Sequence, residues 1–249
     1  MAKKTTPGED RMVAVEEALG KTEQFVEKNQ KILMYAVMGI ILVVLVYFGY
    51  QKFYISPMEG NAQEEIFMAQ KYFEKDSLNR ALYGDGNALG FIDIIDDYGS
   101  TRTGNLAKYY AGICYLKMGN FEEAIEYLED HDPVDQIIGP MALGALGDSY
   151  LELNEPEKAI SKYLDAADAN DNDFTTPMYL YRAGMTYEML GEYEDAYDVY
   201  NRIFTDYFRS NEGRSIERNM ARVKVLMEKE DKKAYQLYMK PGRNDRVFF

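Results

Sequence analysis

The sequence contains no tryptophan, one cysteine and one histidine. A single Cys114 excludes an intramolecular disulfide, and no cysteine stands near the long apolar run to accept a lipid. The lone His131 lies in EDHDPVD, where Pro133 and its flanking aspartates read as a turn, so His131 is expected to be a loop residue. Basic residues are also scarce: 28 Lys and Arg stand against 42 Asp and Glu, a net charge of −14. The deficit is concentrated in residues 53–207, which hold 10 basic and 30 acidic side chains, net −20. A body this acidic repels phosphate backbones, which excludes nucleic acid as a partner. Residues 1–31 are balanced at six of each sign, and residues 208–249 carry 11 basic against 6 acidic, net +5.

Hydrophobic residues make up 47% of the 249, enough to bury a core. They are unevenly placed. From Ile32 to Tyr50 run nineteen residues without a charge. As a helix they cover roughly 28 Å, close to a hydrocarbon core of about 30 Å. Thirty-one residues precede the run and QKFYISP follows it, so neither the short basic start nor the small-residue cleavage site of a signal peptide is present. The run is therefore expected to be one transmembrane helix over residues 32–51, with Tyr47, Phe48, Tyr50, Phe53 and Tyr54 at an interfacial belt. Lys21, Lys28 and Lys31 precede it, whereas Lys52 alone follows before Lys71. That asymmetry places residues 1–31 in the cytoplasm and the remainder across the membrane. Within the first segment, Val15, Leu19, Phe25 and Val26 fall at helical spacing, a short amphipathic helix leading into the span.

Beyond the span the chain repeats itself. AGICYLKMGNFEEAIEYL returns as ALGDSYLELNEPEKAISKYL and again as RAGMTYEMLGEYEDAYDVYN. Gly112, Gly147 and Gly184 correspond, then Tyr115, Tyr150 and Tyr187, then Gly119, Asn154 and Gly191, then Ala124, Ala159 and Ala196. Each unit reads as two helices. The first offers a small residue at a close crossing and a Tyr beside it; Gly or Asn four residues later suits the left-handed conformation after a helix. The second has Ala at its tight contact and Leu128, Tyr163 or Tyr200 one turn further on. A period of 35 to 37 residues with this pattern resembles the tetratricopeptide repeat. Lys108 departs from the pattern, where a large apolar residue is usual, as does Pro156, which a helix start tolerates.

The expected fold is all-α: a tetratricopeptide-repeat solenoid with three repeats over residues 105–210, a degenerate repeat over 58–104 and a capping helix over 211–228. In the degenerate unit, NALGFIDIIDDY reads as the second helix, with Ala88 thirty-six residues before Ala124, while the first helix, EEIFMAQKYFEKD, has lost the motif. The cap is read from the stripe Ile216, Met220, Val223 and Met227. Residues 229–249 lack a sustained pattern and are expected to be mobile.

The sequence calls for no enzyme activity, no cofactor and no metal. Cys114 reads as a buried structural thiol without a helical His partner. Asp168, Asn170 and Asn172 alternate like the start of a calcium loop, but Asp173 replaces its Gly and Tyr179 its bidentate Glu. A turn before a helix opened by Thr176-Pro177 explains these residues. The glycines of YGDGNALG follow no strand and match no phosphate loop.

The repeat resemblance implies a binding groove on the first helices. Its inward positions fall on Leu106, Tyr109, Ile113 and Lys117; on Met141, Gly144, Asp148 and Glu152; and on Met178, Tyr181, Met185 and Met189. Arg182 is the one basic residue at the positions of a carboxylate clamp, where Tyr109, Ile113 and Ala145 also stand, so a groove for apolar protein segments is expected instead. A short N-terminus, one span and an acidic repeat domain outside are similar to the YfgM-like family of bacterial inner-membrane proteins. That resemblance implies a periplasmic scaffold or chaperone-like factor whose partners are translocon components, a membrane-anchored PpiD-type chaperone and unfolded exported clients. The alternatives are an adaptor for an envelope assembly or secretion complex with one dedicated partner, and a regulator acting through the cytoplasmic helix.

Overall fold

The structure, a computed structural model, describes the backbone of residues 7–238 and the side chains of residues 28–233. Among the described residues every regular element is helical. The chain divides into two compact units, residues 1–58 and 59–249.

In the first unit, α1 runs Pro7–Tyr50 and is followed by a single π-helical stretch, Gln51–Ile55. It covers both the expected amphipathic segment and the apolar run. The side chains of residues 1–27 lie outside those described, so the stripe of Val15, Leu19, Phe25 and Val26 does too. From Ile32 to Tyr50 nearly every large apolar side chain is exposed, including Ile40, Leu45 and Phe48. By length and composition this helix is long and apolar enough to cross a membrane.

The second unit is built from helix pairs. It opens with α2 (Ser56–Glu74), α3 (Leu78–Tyr83) and α4 (Phe91–Tyr98), then three pairs: α5 (Arg102–Met118) with α6 (Phe121–Glu129), α7 (Ile138–Glu152) with α8 (Pro156–Ala169), and α9 (Thr175–Leu190) with α10 (Tyr193–Asp206). The last helix, α11, is Ile216–Tyr238.

Each pair is locked by the residues that repeat. A Cβ on Gly112 would stand 2.5 Å from Leu128 Cγ, and one on Gly147 would stand 2.5 Å from the Tyr163 ring. Gly184 meets Tyr200 in the same way. The small residue of the first helix thus receives the large residue of the second, whose Ala124, Ala159 and Ala196 are fully buried. The turns repeat as closely. Gly119, Asn154 and Gly191 have φ of 80°, 60° and 83°, the left-handed conformation. In each turn the next N–H reaches back to the repeat tyrosine's carbonyl, Asn120 to Tyr115 at 3.0 Å, Glu155 to Tyr150 at 2.9 Å and Glu192 to Tyr187 at 2.9 Å, closing the helix end.

The two departures from the pattern have local explanations. Pro156 opens α8, where its missing N–H costs nothing. Lys108 lays its stem on the core and carries its ammonium out to Asp130, 2.6 Å from Oδ2 and 3.2 Å from the backbone oxygen.

Three expectations are corrected. Ala88 lies outside any helix, because α4 begins only at Phe91; Gly84 and Gly86, with φ of 74° and 87°, turn the chain first. Asp85 holds that loop by accepting the N–H groups of Asn87 and Ala88 at 2.9 Å and the Tyr72 hydroxyl at 2.6 Å. The Tyr72 hydrogen bond, with the two N–H groups, lowers the Asp85 carboxyl to about 2. The final helix continues past residue 228 to Tyr238, since no Gly or Pro interrupts the chain before Pro241. Residues 239–249 of the expected tail lie outside the described residues. Finally, Tyr109 is not a surface residue, as the site geometry shows.

Candidate functional site

The first helices of the pairs, α5, α7 and α9, stack side by side with α11 beyond them. α2 lies parallel to α5: Glu59 accepts the Thr103 N–H at 3.1 Å and its hydroxyl at 2.9 Å at one end, and Asp76 meets Lys117 Nζ at 2.7 Å at the other. Between α7 and α9, the Tyr179 ring fills the space over Gly144 and stacks on Tyr163 at 6.5 Å. On the far side of α9, Ile216 and Val223 of α11 are fully buried, with Met220 and Met227 packed beside them.

The expected groove residues divide into three groups. Tyr109 is only 8% exposed; its ring packs edge-on to Tyr110 at 5.4 Å and lies 6.0 Å from His131, so α5 turns it into the core. Burial raises its phenol to about 12. Leu106, Ile113, Met141, Met178 and Tyr181 are half-buried and packed against the core, presenting only edges. Met185 and Met189, one turn apart on α9, are open at 51% and 62% exposure, and Lys117 is exposed as well. The apolar surface is therefore narrower than the repeat positions imply and centred on α9.

Asp148 and Arg182 form an ion pair. The same Asp148 oxygen accepts the Tyr163 hydroxyl at 2.7 Å. Tyr163 belongs to the second helix of the same repeat and Arg182 to the first helix of the next, so one carboxylate ties three helices. The arrangement recurs one repeat on. Glu188 accepts the Tyr200 hydroxyl at 2.7 Å and is held by Arg222 of α11 through two bonds, 2.7 and 2.9 Å. Burial and the neighbouring carboxylate raise the Tyr163 phenol, and burial with the Glu188 hydrogen bond raises that of Tyr200. Sequence reasoning placed Arg182 and Asp148 in the groove but missed that they neutralise each other. The available signal was the matched spacing: Asp148 to Arg182 and Glu188 to Arg222 are both 34 residues.

The remaining polar candidates are structural. His131 is buried, with Nδ1 2.8 Å from the Asn105 carbonyl, pinning its loop to the start of α5. Cys114 is fully buried, and desolvation pushes its thiol up to about 12. In the calcium-like stretch, Asn172 Oδ1 accepts the N–H groups of Phe174 and Thr175 at 2.8 and 2.7 Å and so starts α9, while Asp168 pairs with Arg202 at 2.8 Å. No group of three or more His, Cys, Asp or Glu side chains among the described residues is placed to hold a metal ion.

Stacked helix pairs with left-handed turns and small-on-aromatic contacts define a helical-repeat scaffold. Tetratricopeptide repeat family models match residues 144–206 and 106–130. Together with the geometry, this makes the fold a tetratricopeptide-repeat solenoid, a class that generally binds protein partners. Among solved structures, the crystal structure of MamA protein is similar at 18% identity, covering 76% of this chain and 100% of that one with a TM-score of 0.47. No curated protein matches the chain.

Proposed function

We propose that this protein is a non-enzymatic, membrane-anchored scaffold with chaperone-like action on the periplasmic side of the bacterial inner membrane. In this reading residues 1–31 are cytoplasmic, residues 32–51 span the membrane, and the solenoid receives exported proteins beside the Sec translocon. Support comes from the apolar N-terminal helix, the lysines on its inner side and the solenoid class. The observation that carries the binding role is the exposed pair Met185 and Met189 on α9. Methionine is flexible and polarizable, which suits a surface that must repack around different apolar segments.

The test is a photoreactive residue in place of Met185 in the full chain, expressed in bacterial cells. Crosslinks to exported proteins or translocon components are expected. Crosslinks to cytoplasmic proteins alone, or none, would sink the reading. Tyr109 is unsuitable for this purpose, being buried. Co-purification in mild detergent separates many weak clients from the single stoichiometric partner of a dedicated adaptor. A reporter fused after Lys229 fixes the side: cytoplasmic activity would remove the periplasmic role.

A further inference from the structure

The two clasps at Asp148 and Glu188 close the seams between α7 and α9 and between α9 and α11. The seam between α5 and α7 has no counterpart, because the positions of Asp148 and Arg182 are occupied one repeat earlier by Ile113 and Ala145. Where the C-terminal ends of α5 and α7 meet the start of α6, the surface opens into a pocket of about 530 Å³. Leu116, Met118, Phe121 and Leu151 supply its apolar walls.

The charges around this pocket have one sign to spare. Among the described residues that line it, the only cation, Lys117, is committed to Asp76 at 2.7 Å and lies over the Phe73 ring at 5.3 Å. Asp148 is committed to Arg182 and Tyr163. Glu152 lines the pocket, is exposed and has no partner among the described residues. Glu122 and Glu123 follow Phe121 in the first turn of α6 and are also exposed. The surrounding residues 53–207 carry a net −20. An acidic C-terminus would meet no free cation here, whereas a lysine or arginine would complete Glu152 while neighbouring aliphatic groups filled the walls.

We infer that this pocket takes a protein segment in which a Lys or Arg side chain is flanked by apolar residues, with Glu152 receiving the cation. The inference rests on the protein-binding reading above and names the chemistry of the segment that reading leaves open.

The experiment uses the full chain in lipid nanodiscs and labelled peptides that place Leu-Lys-Leu, Leu-Gln-Leu or Leu-Glu-Leu in a Gly-Ser background, with binding to empty nanodiscs subtracted. Fluorescence anisotropy should rank them lysine, glutamine, glutamate from tightest to weakest. Glu152→Lys, an exposed substitution that disturbs no described contact, should weaken the lysine peptide about fivefold and invert the order. Equal binding of the three peptides, no binding of any, or an order unchanged in Glu152→Lys would overturn the assignment. Crosslinking through position 185 in cells is independent of it. Capture there with no peptide preference removes only this pocket, while a clear preference with no capture in cells removes the exported-client role.

Discussion

The Tyr163 hydroxyl donates to Asp148 at 2.7 Å across one helix pair, and Arg182 grips the same carboxylate from the next pair. Repeat-to-repeat cohesion is usually assigned to apolar packing. Here a polar joint is added at two successive seams, and both joints use the ring that fills the glycine of the first helix. Packing within a repeat and docking between repeats are thus coupled through one side chain.

Asp148→Ala should cost about 2 kcal/mol of unfolding free energy, because it leaves a largely buried phenol without an acceptor and a guanidinium without its partner. Tyr163→Phe should cost about 1 kcal/mol, since only one hydrogen bond is lost and the ring remains. The Asp148–Arg182 coupling in a double-mutant cycle should not exceed about 1 kcal/mol, as both side chains are about a third exposed or more. Denaturant titration of the full chain followed by helical circular dichroism measures all three. A coupling near zero with an undiminished Asp148→Ala cost would assign the joint to Tyr163 alone.

Two glycines at different positions of the repeat should respond differently to the same substitution. Gly147→Ala drives a Cβ to within 2.5 Å of the Tyr163 ring and should destabilise by about 3 kcal/mol, because a ring wedged between α7 and α8 has little room to retreat. Gly191→Ala meets no atom within 4 Å but must adopt φ near 83°, which should cost about 1 kcal/mol. Asn154→Gly, at φ 60°, should be neutral or slightly stabilising. Melting temperatures of the three variants check the order.

These contrasts also mark what the sequence disclosed. Turn positions were legible because a left-handed residue demands Gly or Asn, and small-on-large contacts were legible because they recur at fixed offsets within about twenty residues. The clasps were not, since 34 residues separate the partners and their meeting depends on how neighbouring helices are rotated. The burial of Tyr109 escaped for the same reason: family positions give a helix face, whereas the depth of that face depends on Tyr110 and His131 behind it. Ala88 misled because its spacing matched while Gly84 and Gly86 had already turned the chain. The length of α11 could have been read from the absence of a breaker before Pro241.

Cys114 provides a probe of local opening. With its thiol raised to about 12 by burial, it should react negligibly with a disulfide reagent at pH 8 in the folded chain and at the rate of a free thiol in denaturant. Protection should fall in Gly112→Ala, whose new Cβ would stand 2.5 Å from Leu128, two residues from the cysteine. Rapid reaction of the native wild-type chain would show that the first repeat opens without global unfolding.

The tyrosines predict how the solenoid fails in alkali. Burial lifts Tyr109 to about 12, and burial with the Glu129 carboxylate lifts Tyr150 to about 12, while Tyr163, Tyr179 and Tyr200 are raised as well. Their unfolded value is near 10. A group whose proton is held more tightly in the folded state contributes stability that is complete below the unfolded pKa. That stability is lost as pH rises through the folded one. The protein should therefore hold its melting temperature up to about pH 10 and lose it steeply between 10 and 12. Loss of helical signal should coincide with a cooperative rise in tyrosinate absorbance, because these phenols ionise by being released. Removing one contributor tests the cause: Tyr163→Phe, though less stable at pH 8, should show a shallower decline above pH 10. An equal slope in the variant would assign the alkaline transition to other groups.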